Sequence, residues 1–166
     1  MDQVVIDTTM GSFTIEVDAE RAPKTVQNFL AYVDAGHYSG TIFHRVIDGF
    51  MVQGGGYDGA YDKKNVRAPI VNEADNGVKN ERSTVAMART NEPHSATAQF
   101  FVNVSDNKFL NHKSKTDREW GYTVFGKVVS GMDVVDKIKN VKTGEQGPFS
   151  KDAPLEPVSI TSARRV

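Results

Sequence analysis

One short run, Phe43-His44-Arg45-Val46-Ile47-Asp48-Gly49-Phe50-Met51-Val52-Gln53-Gly54-Gly55, sets a permanent cation near an apolar pair and an uncharged amide. Side chains alternate along an extended chain, so Met51 and Gln53 share a face. Gln99-Phe100-Phe101-Val102 repeats the arrangement, with Gln99 and Phe101 on one face and Phe100 on the other. One face of each strand can fill a core while the other displays Phe or Met beside an amide. Residue types alone leave a second reading open, in which Phe50, Met51 and Phe101 are core and Arg45 is half of a surface ion pair.

Other candidate chemistry is thin. Gly54-Gly55-Gly56-Tyr57-Asp58-Gly59 satisfies G-x-G-x-x-G, but a dinucleotide site needs a helix to receive the pyrophosphate. Ala60-Tyr61-Asp62-Lys63-Lys64-Asn65 carries no apolar helical stripe, so the run reads as a strand-exit loop. His37, His44, His94 and His112 form no i, i+4 pair, and no G-x-S-x-G elbow occurs. With no cysteine, disulfides, iron–sulfur clusters, Cys-based zinc sites and thiol nucleophiles are excluded. No metal and no cofactor is expected.

The elements that must position these residues follow from periodicity. Val4-Val5-Ile6 and the alternating Phe13, Ile15 and Val17 predict an opening hairpin around Thr8–Ser12. Val26, Phe29, Leu30 and Val33 fall at i, i+3, i+4, i+7, a helix face with Pro23 in its first turn and Gly36 at its end. Short β-rich runs follow at Ile42–Val46, Phe50–Gln53, Thr84–Ala88, Gln99–Val104 and Thr123–Val129. Val134, Ile138 and Val141 predict a second helix, with Ser130 as its cap and Asp133 near its positive end. Gly144 to Pro157 reads as turns, and Val158–Thr161 as the last strand. Strands outnumber helices and seldom alternate with them, so the fold is mainly β, a closed or nearly closed structure with helices at its openings.

No repeat or linker divides residues 1–166, so one domain is expected, and a chain of this length buries a core without staples. Twenty basic and twenty-one acidic residues give a net charge of −1, which leaves no footprint for nucleic acid or an anionic membrane. The opening Met-Asp-Gln-Val-Val-Ile-Asp is not a secretory signal, and no apolar run approaches a bilayer span. A monomer in a reducing compartment, the cytoplasm, is the expectation.

Phe43–Gly55 closely resembles the signature of the cyclophilins, peptidyl-prolyl cis/trans isomerases. The segments Asn72–Arg89, Ser95–Phe101 and Val124–Val128 match in register, and the similarity extends from about Val4 to Ile160. Asn72–Arg89 is most similar to the bacterial cytoplasmic branch, the cyclophilin B type. The resemblance implies a closed eight-stranded antiparallel β-barrel capped by two α-helices, with the active site on an outer face. It makes Arg45 the catalytic residue and lines a proline pocket with Phe50, Met51, Phe101 and Leu110. Gln53 and Gln99 would hold the substrate backbone, and the main chain at Ala88-Arg89 would pair with the residues before proline. The implied partners are proline-containing peptides and unfolded or partly folded proteins, with weak cyclosporin binding.

Three departures from the family pattern stand out. Arg89 replaces an asparagine, Phe109 replaces the rim tryptophan, and Tyr122 replaces a rim histidine while still offering a donor and acceptor. Trp120 does not fill the tryptophan's place, because it sits in the lengthened Asn111–Gly121 segment. Two functions compete: an active prolyl isomerase that assists folding, and a proline-peptide binding module or chaperone whose catalysis is vestigial. A third, a small-ligand barrel, would need an empty interior.

Overall fold

The computed structural model describes residues 1–166. In chain order the elements are β1 (Gln3–Thr8), β2 (Gly11–Val17), α1 (Pro23–Asp34), β3 (Arg45–Ile47), β4 (Met51–Gly54), β5 (Thr84–Met87), β6 (Phe100–Asn103), β7 (Val124–Ser130), α2 (Met132–Lys139), β8 (Thr143–Gln146), β9 (Phe149–Pro154) and β10 (Ile160–Arg165). Single 3-10 turns stand at Ala74–Asn76 and Lys108–Leu110.

Eight strands form one antiparallel sheet in the order β10-β1-β2-β7-β5-β6-β4-β3, and β8 and β9 form a separate ribbon. The expected closed barrel is therefore a curled sheet whose edge strands, β3 and β10, share no ladder. At three residues β3 is too short to run beside β10. The seam is stitched instead by the chain before each strand. Gly40 N–H donates to Ile160 O at 2.8 Å, Ile160 N–H to Thr41 O at 2.7 Å and Phe43 N–H to Val158 O at 2.9 Å.

Inside the curl lies a core of 29 buried residues, into which both helices sink their apolar faces. On α1 these are Val26, Phe29, Leu30 and Val33, the predicted stripe, with Pro23 at the first turn. Phe29 touches the rings of Tyr38, Phe100 and Phe125 at 5.4, 5.8 and 4.9 Å between centroids. Gly36 ends the helix at φ 72°.

Three expectations need correction. Ser130 does not cap α2: it ends β7, and Gly131 takes the cap at φ 82°, where a Cβ would strike Ser12 O. Gly144–Pro157 is a β-ribbon and not a run of turns, and β10 starts later and runs longer than Val158–Thr161. The ribbon's strands are exposed or half-buried except at Ala153 and Pro154, and they lack apolar alternation. Tertiary contact makes it, because Phe149 stacks on buried His44 at 5.1 Å and meets Tyr57 edge-on at 5.0 Å.

His44 is 5% exposed and its Nδ1 has no hydrogen-bond partner. Burial, with the charge of Arg45 adding, lowers its pKa to about 4. In the unfolded chain it titrates near 6.5, so the unfolded state binds the extra proton between those values. Stability from the neutral ring is complete above pH 6.5 and lost as pH falls towards 4, by about 3 kcal/mol. Denaturant unfolding at pH 7 and 4.5 should show this loss in the wild type and little of it in His44→Phe. Equal losses in both would contradict the assignment. His37, also lowered by burial, leaves a residual slope of the same sign.

Candidate active site

Ladder register puts the functional side chains on one rung. Arg45 pairs with Gln53, Gln53 with Phe101, Phe101 with Ala86, and Ala86 with Val124, across β3, β4, β6, β5 and β7. Residues on a rung share a face. This face points away from the core, whereas the alternating Val52, Phe100 and Val102 point into it. Outside, Met51, Ala86, Phe101, Leu110 and Val124 make a second, five-residue apolar cluster, with Phe50, Ala88 and Tyr122 packed against it. The two readings of Phe50, Met51 and Phe101 thus merge: Met51 and Phe101 are almost wholly buried and also form the floor of a surface pocket.

That pocket has a volume of about 100 Å³. Phe50, Met51, Phe101 and Leu110 line it, together with Arg45, Gln53, Ala88, Arg89 and Tyr122. Arg45 is exposed at its edge, and its guanidinium carbon stands 5.8 Å over the Phe50 ring. It joins none of the chain's six ion pairs, which rules out the surface ion pair that residue types alone allowed. Phe109 is not in the lining. It stands 65% exposed at the rim, its ring 5.4 Å from that of Phe50.

Gln99 also lies outside this pocket and borders an adjoining hollow of about 240 Å³ that shares Gln53, Ala88 and Arg89. Gln53 Nε2 donates to Gln99 Oε1 at 2.9 Å, so the two amides form one polar ridge between the hollows. The main chain beside the ridge is half engaged. Ala88 N–H donates to Gln99 O at 3.0 Å, while Ala88 O and Arg89 N–H have no partner in the chain. Those two groups are free to bind an extended segment. The Arg89 side chain is committed elsewhere: Nε donates to Gly121 O at 2.9 Å and the guanidinium carbon lies 4.6 Å over Tyr122.

Sequence reasoning did not find the second hollow, whose Lys63, Thr97 and Ser95 are polar loop residues without a pattern. It also gave the glycine run no packing role. A Cβ on Gly56 would lie 2.5 Å from the Gln99 amide, so the bare backbone is what lets that side chain lie down. Trp120 is buried between the rings of His94 and His112, at 5.0 and 4.9 Å, away from the pocket. The largest hollow, about 680 Å³, lies between Thr9-Met10 and Leu155–Val158 and holds none of the residues on the rung. No group of three or more His, Asp or Glu side chains gathers as a metal site would need.

The family model "Cyclophilin type peptidyl-prolyl cis-trans isomerase/CLD" matches residues 3–165. Peptidyl-prolyl cis-trans isomerase cyp18 of Streptomyces antibioticus is 59% identical over 164 residues, 99% of this chain and 98% of its own. Peptidyl-prolyl cis-trans isomerase B of Escherichia coli K12 is 55% identical, covering 96% of each. A cyclophilin from Cryptosporidium parvum, crystallised in the presence of the dipeptide Ala-Pro, superposes with a TM-score of 0.77 at 26% identity, over 97% of this chain and 96% of its own.

Gly56→Ala should lift Gln99 off the ridge and break its bond to Gln53, with little change in folding because Gln99 is a flexible surface side chain. If the site takes the Ala-Pro type of peptide named for its structural relative, affinity should fall about tenfold, the worth of one or two hydrogen bonds. Titration of wild type and variant with a common peptide checks this, and equal affinities would contradict it.

Proposed function

The chain belongs to the cyclophilin-type family of peptidyl-prolyl cis-trans isomerases, and from that premise we propose that Arg45 is the catalytic residue, acting on a prolyl ring seated against Phe50, Met51, Phe101 and Leu110. The reaction is rotation about an X-Pro peptide bond. C–N resonance sets its barrier at about 18–20 kcal/mol, and 20 kcal/mol corresponds to roughly 10⁻² s⁻¹. Reaching on the order of 10³ s⁻¹ takes five decades, about 7 kcal/mol. No bond is broken and no proton leaves, so nucleophile and metal are both unnecessary.

In the twisted state resonance is lost and the prolyl nitrogen regains a lone pair. A donor aimed at that nitrogen binds the transition state better than the planar ground state. Arginine supplies such a donor while staying charged. The observation that carries the assignment is its lack of any ion pair at the edge of an apolar pocket. A carboxylate partner would hold the guanidinium fast and cancel its field. Ala88 O and Arg89 N–H pair with the residues before proline, and Gln53 and Gln99 hold the backbone near the rotating bond. Tyr122 borders the ring opposite Arg45's strand. Seating the ring while the preceding peptide stays tethered outside concentrates the motion in one bond.

Clients are proline-containing segments of unfolded or partly folded chains. We place the protein in the bacterial cytoplasm as a monomer, on its similarity to the cyclophilin B branch and the balance of its charge.

Arg45→Ala should lower kcat/KM for a short X-Pro peptide by 10²–10³-fold, the usual cost of one such donor. Stability should stay within about 0.5 kcal/mol, since the side chain is exposed and unpaired. Arg45→Lys should restore only part of the rate. An unchanged rate in Arg45→Ala would assign the pocket to binding alone. Cyclosporin binding should be weak and should tighten about five- to tenfold in Phe109→Trp, because phenylalanine lacks the indole N–H. Equal affinity in the two proteins would contradict that role for residue 109.

A further inference from the structure

Beneath the pocket's apolar wall runs a chain of buried side-chain amides that the chemistry above does not use. Asn80, Asn103 and Asn107 are 1%, 0% and 3% exposed. Asn103 lies on β6 opposite Met51, on the outward face of the sheet, and is hidden only because the segments around Asn80 and Asn107 cover it. The bonds run in one direction. Asn107 Nδ2 donates to Asn103 Oδ1 at 2.8 Å, and Asn103 Nδ2 donates to Asn80 Oδ1 at 3.0 Å and to Thr84 Oγ1 at 2.9 Å.

Both ends of the chain finish on main-chain carbonyls of pocket residues. Asn107 Nδ2 reaches Phe50 O at 2.8 Å. Asn80 Nδ2 lies 3.2 Å from both Leu110 O and Tyr122 O. Phe50 and Tyr122 stand in loops and Leu110 ends a 3-10 turn. Tyr122 N–H donates to Leu110 O at 2.9 Å and Val104 N–H to Phe50 O at 3.1 Å, and the amides add a second bond to each of these carbonyls and reach Tyr122 O besides. Tyr122 O has no main-chain donor and relies on Asn80, and without the amides Phe50 O and Leu110 O each lose one of two bonds, so the wall and the amides are coupled.

We propose that Asn80, Asn103 and Asn107 are positioning residues of the isomerase, setting the width of the proline pocket by fixing the carbonyls of Phe50, Leu110 and Tyr122. The proposal rests on the prolyl-isomerase reading above and adds to it the device that holds the pocket at one size. None of the three asparagines lines the pocket. Their action passes through the wall, and since the wall meets the ring in both the planar and the twisted states, it bears on KM more than on kcat.

Two variants test this. Asn103→Leu removes the middle link at similar volume, and Asn107→Asp keeps the shape but loses the donor. Thr25→Val is the matched control. It removes a fully buried hydroxyl that donates to Glu73 Oε1 at 2.7 Å, at the start of α1 and outside the pocket lining. Kinetics on an X-Pro peptide well below each melting point should show at least a fivefold loss of kcat/KM in the asparagine variants, carried chiefly by KM. Thr25→Val should stay within twofold even where its melting point falls as far. A smaller loss, or one in kcat with KM unchanged, overturns the proposal. Arg45→Ala in the same assay tests the underlying reading separately, because its loss falls on kcat. If neither asparagine variant folds, the wild type decides. Saturation with the peptide should shift the side-chain amide resonances of Asn80, Asn103 and Asn107, and resonances that stay fixed overturn the proposal.

Discussion

Side chains on β4 and β6 must alternate between two apolar environments, and that geometric requirement places everything else. Phe100, Val102 and Val52 belong to the interior, so Phe101, Met51 and Gln53 are forced to the outer face. An apolar outer face needs a cover, and the segments carrying Leu110 and Tyr122 supply part of one. The cover stops short at β3, the sheet's edge, and there the pocket opens beside Arg45. A strand pattern with a polar outer face would have left a smooth barrel without a site.

The energetic division of labour follows from the same layout. Roughly 7 kcal/mol of acceleration is needed, and on the role proposed for Arg45 its one donor to the imide nitrogen would supply about 3 of it. Apolar surroundings strengthen that hydrogen bond, and the pocket and the free Ala88–Arg89 backbone restrict which bond turns. On the positioning role proposed for Asn80, Asn103 and Asn107, buried amides add to the few main-chain bonds that hold the pocket wall. By the resemblance, the rim departs from the family pattern at Phe109, Tyr122 and Arg89, while the floor and the arginine follow it. Arg89 illustrates why such a change is tolerated: its side chain folds onto Tyr122 and Gly121, leaving its N–H exposed for pairing.

An alternating pattern made β2 legible and an i, i+3, i+4, i+7 stripe made α1 legible, because burial on one face writes itself into residue type, whereas β4, β5, β6 and β7, mostly buried on both faces, were legible as short β-rich runs. The ribbon of β8 and β9 left no such mark, since its strands are largely polar without alternation and Phe149, packed on His44 and Tyr57, docks it. Closure of the barrel was overstated for a related reason. Counting strands says nothing of whether a three-residue edge strand reaches its neighbour. For the site, Arg45, Phe50, Met51 and Gln53 stood in one contiguous motif and Phe101 in a second. The link from Gly56 to Gln99 and the bonds of Asn80 to Asn103, Leu110 and Tyr122 arise from pairing across long sequence separations, which no local window contains.

Central to the account is an arginine that prefers the twisted imide to the planar one. The most direct measurement is the ratio of affinities for a twisted-imide analogue and its planar counterpart, in the wild type and in the protein lacking the guanidinium. The account predicts that the wild type favours the twisted form by at least 10²-fold, as transition-state mimics are favoured elsewhere. It further predicts that removing the guanidinium collapses this preference while planar affinity barely changes. A preference that survives its removal, or a fall in both affinities together, would contradict the account.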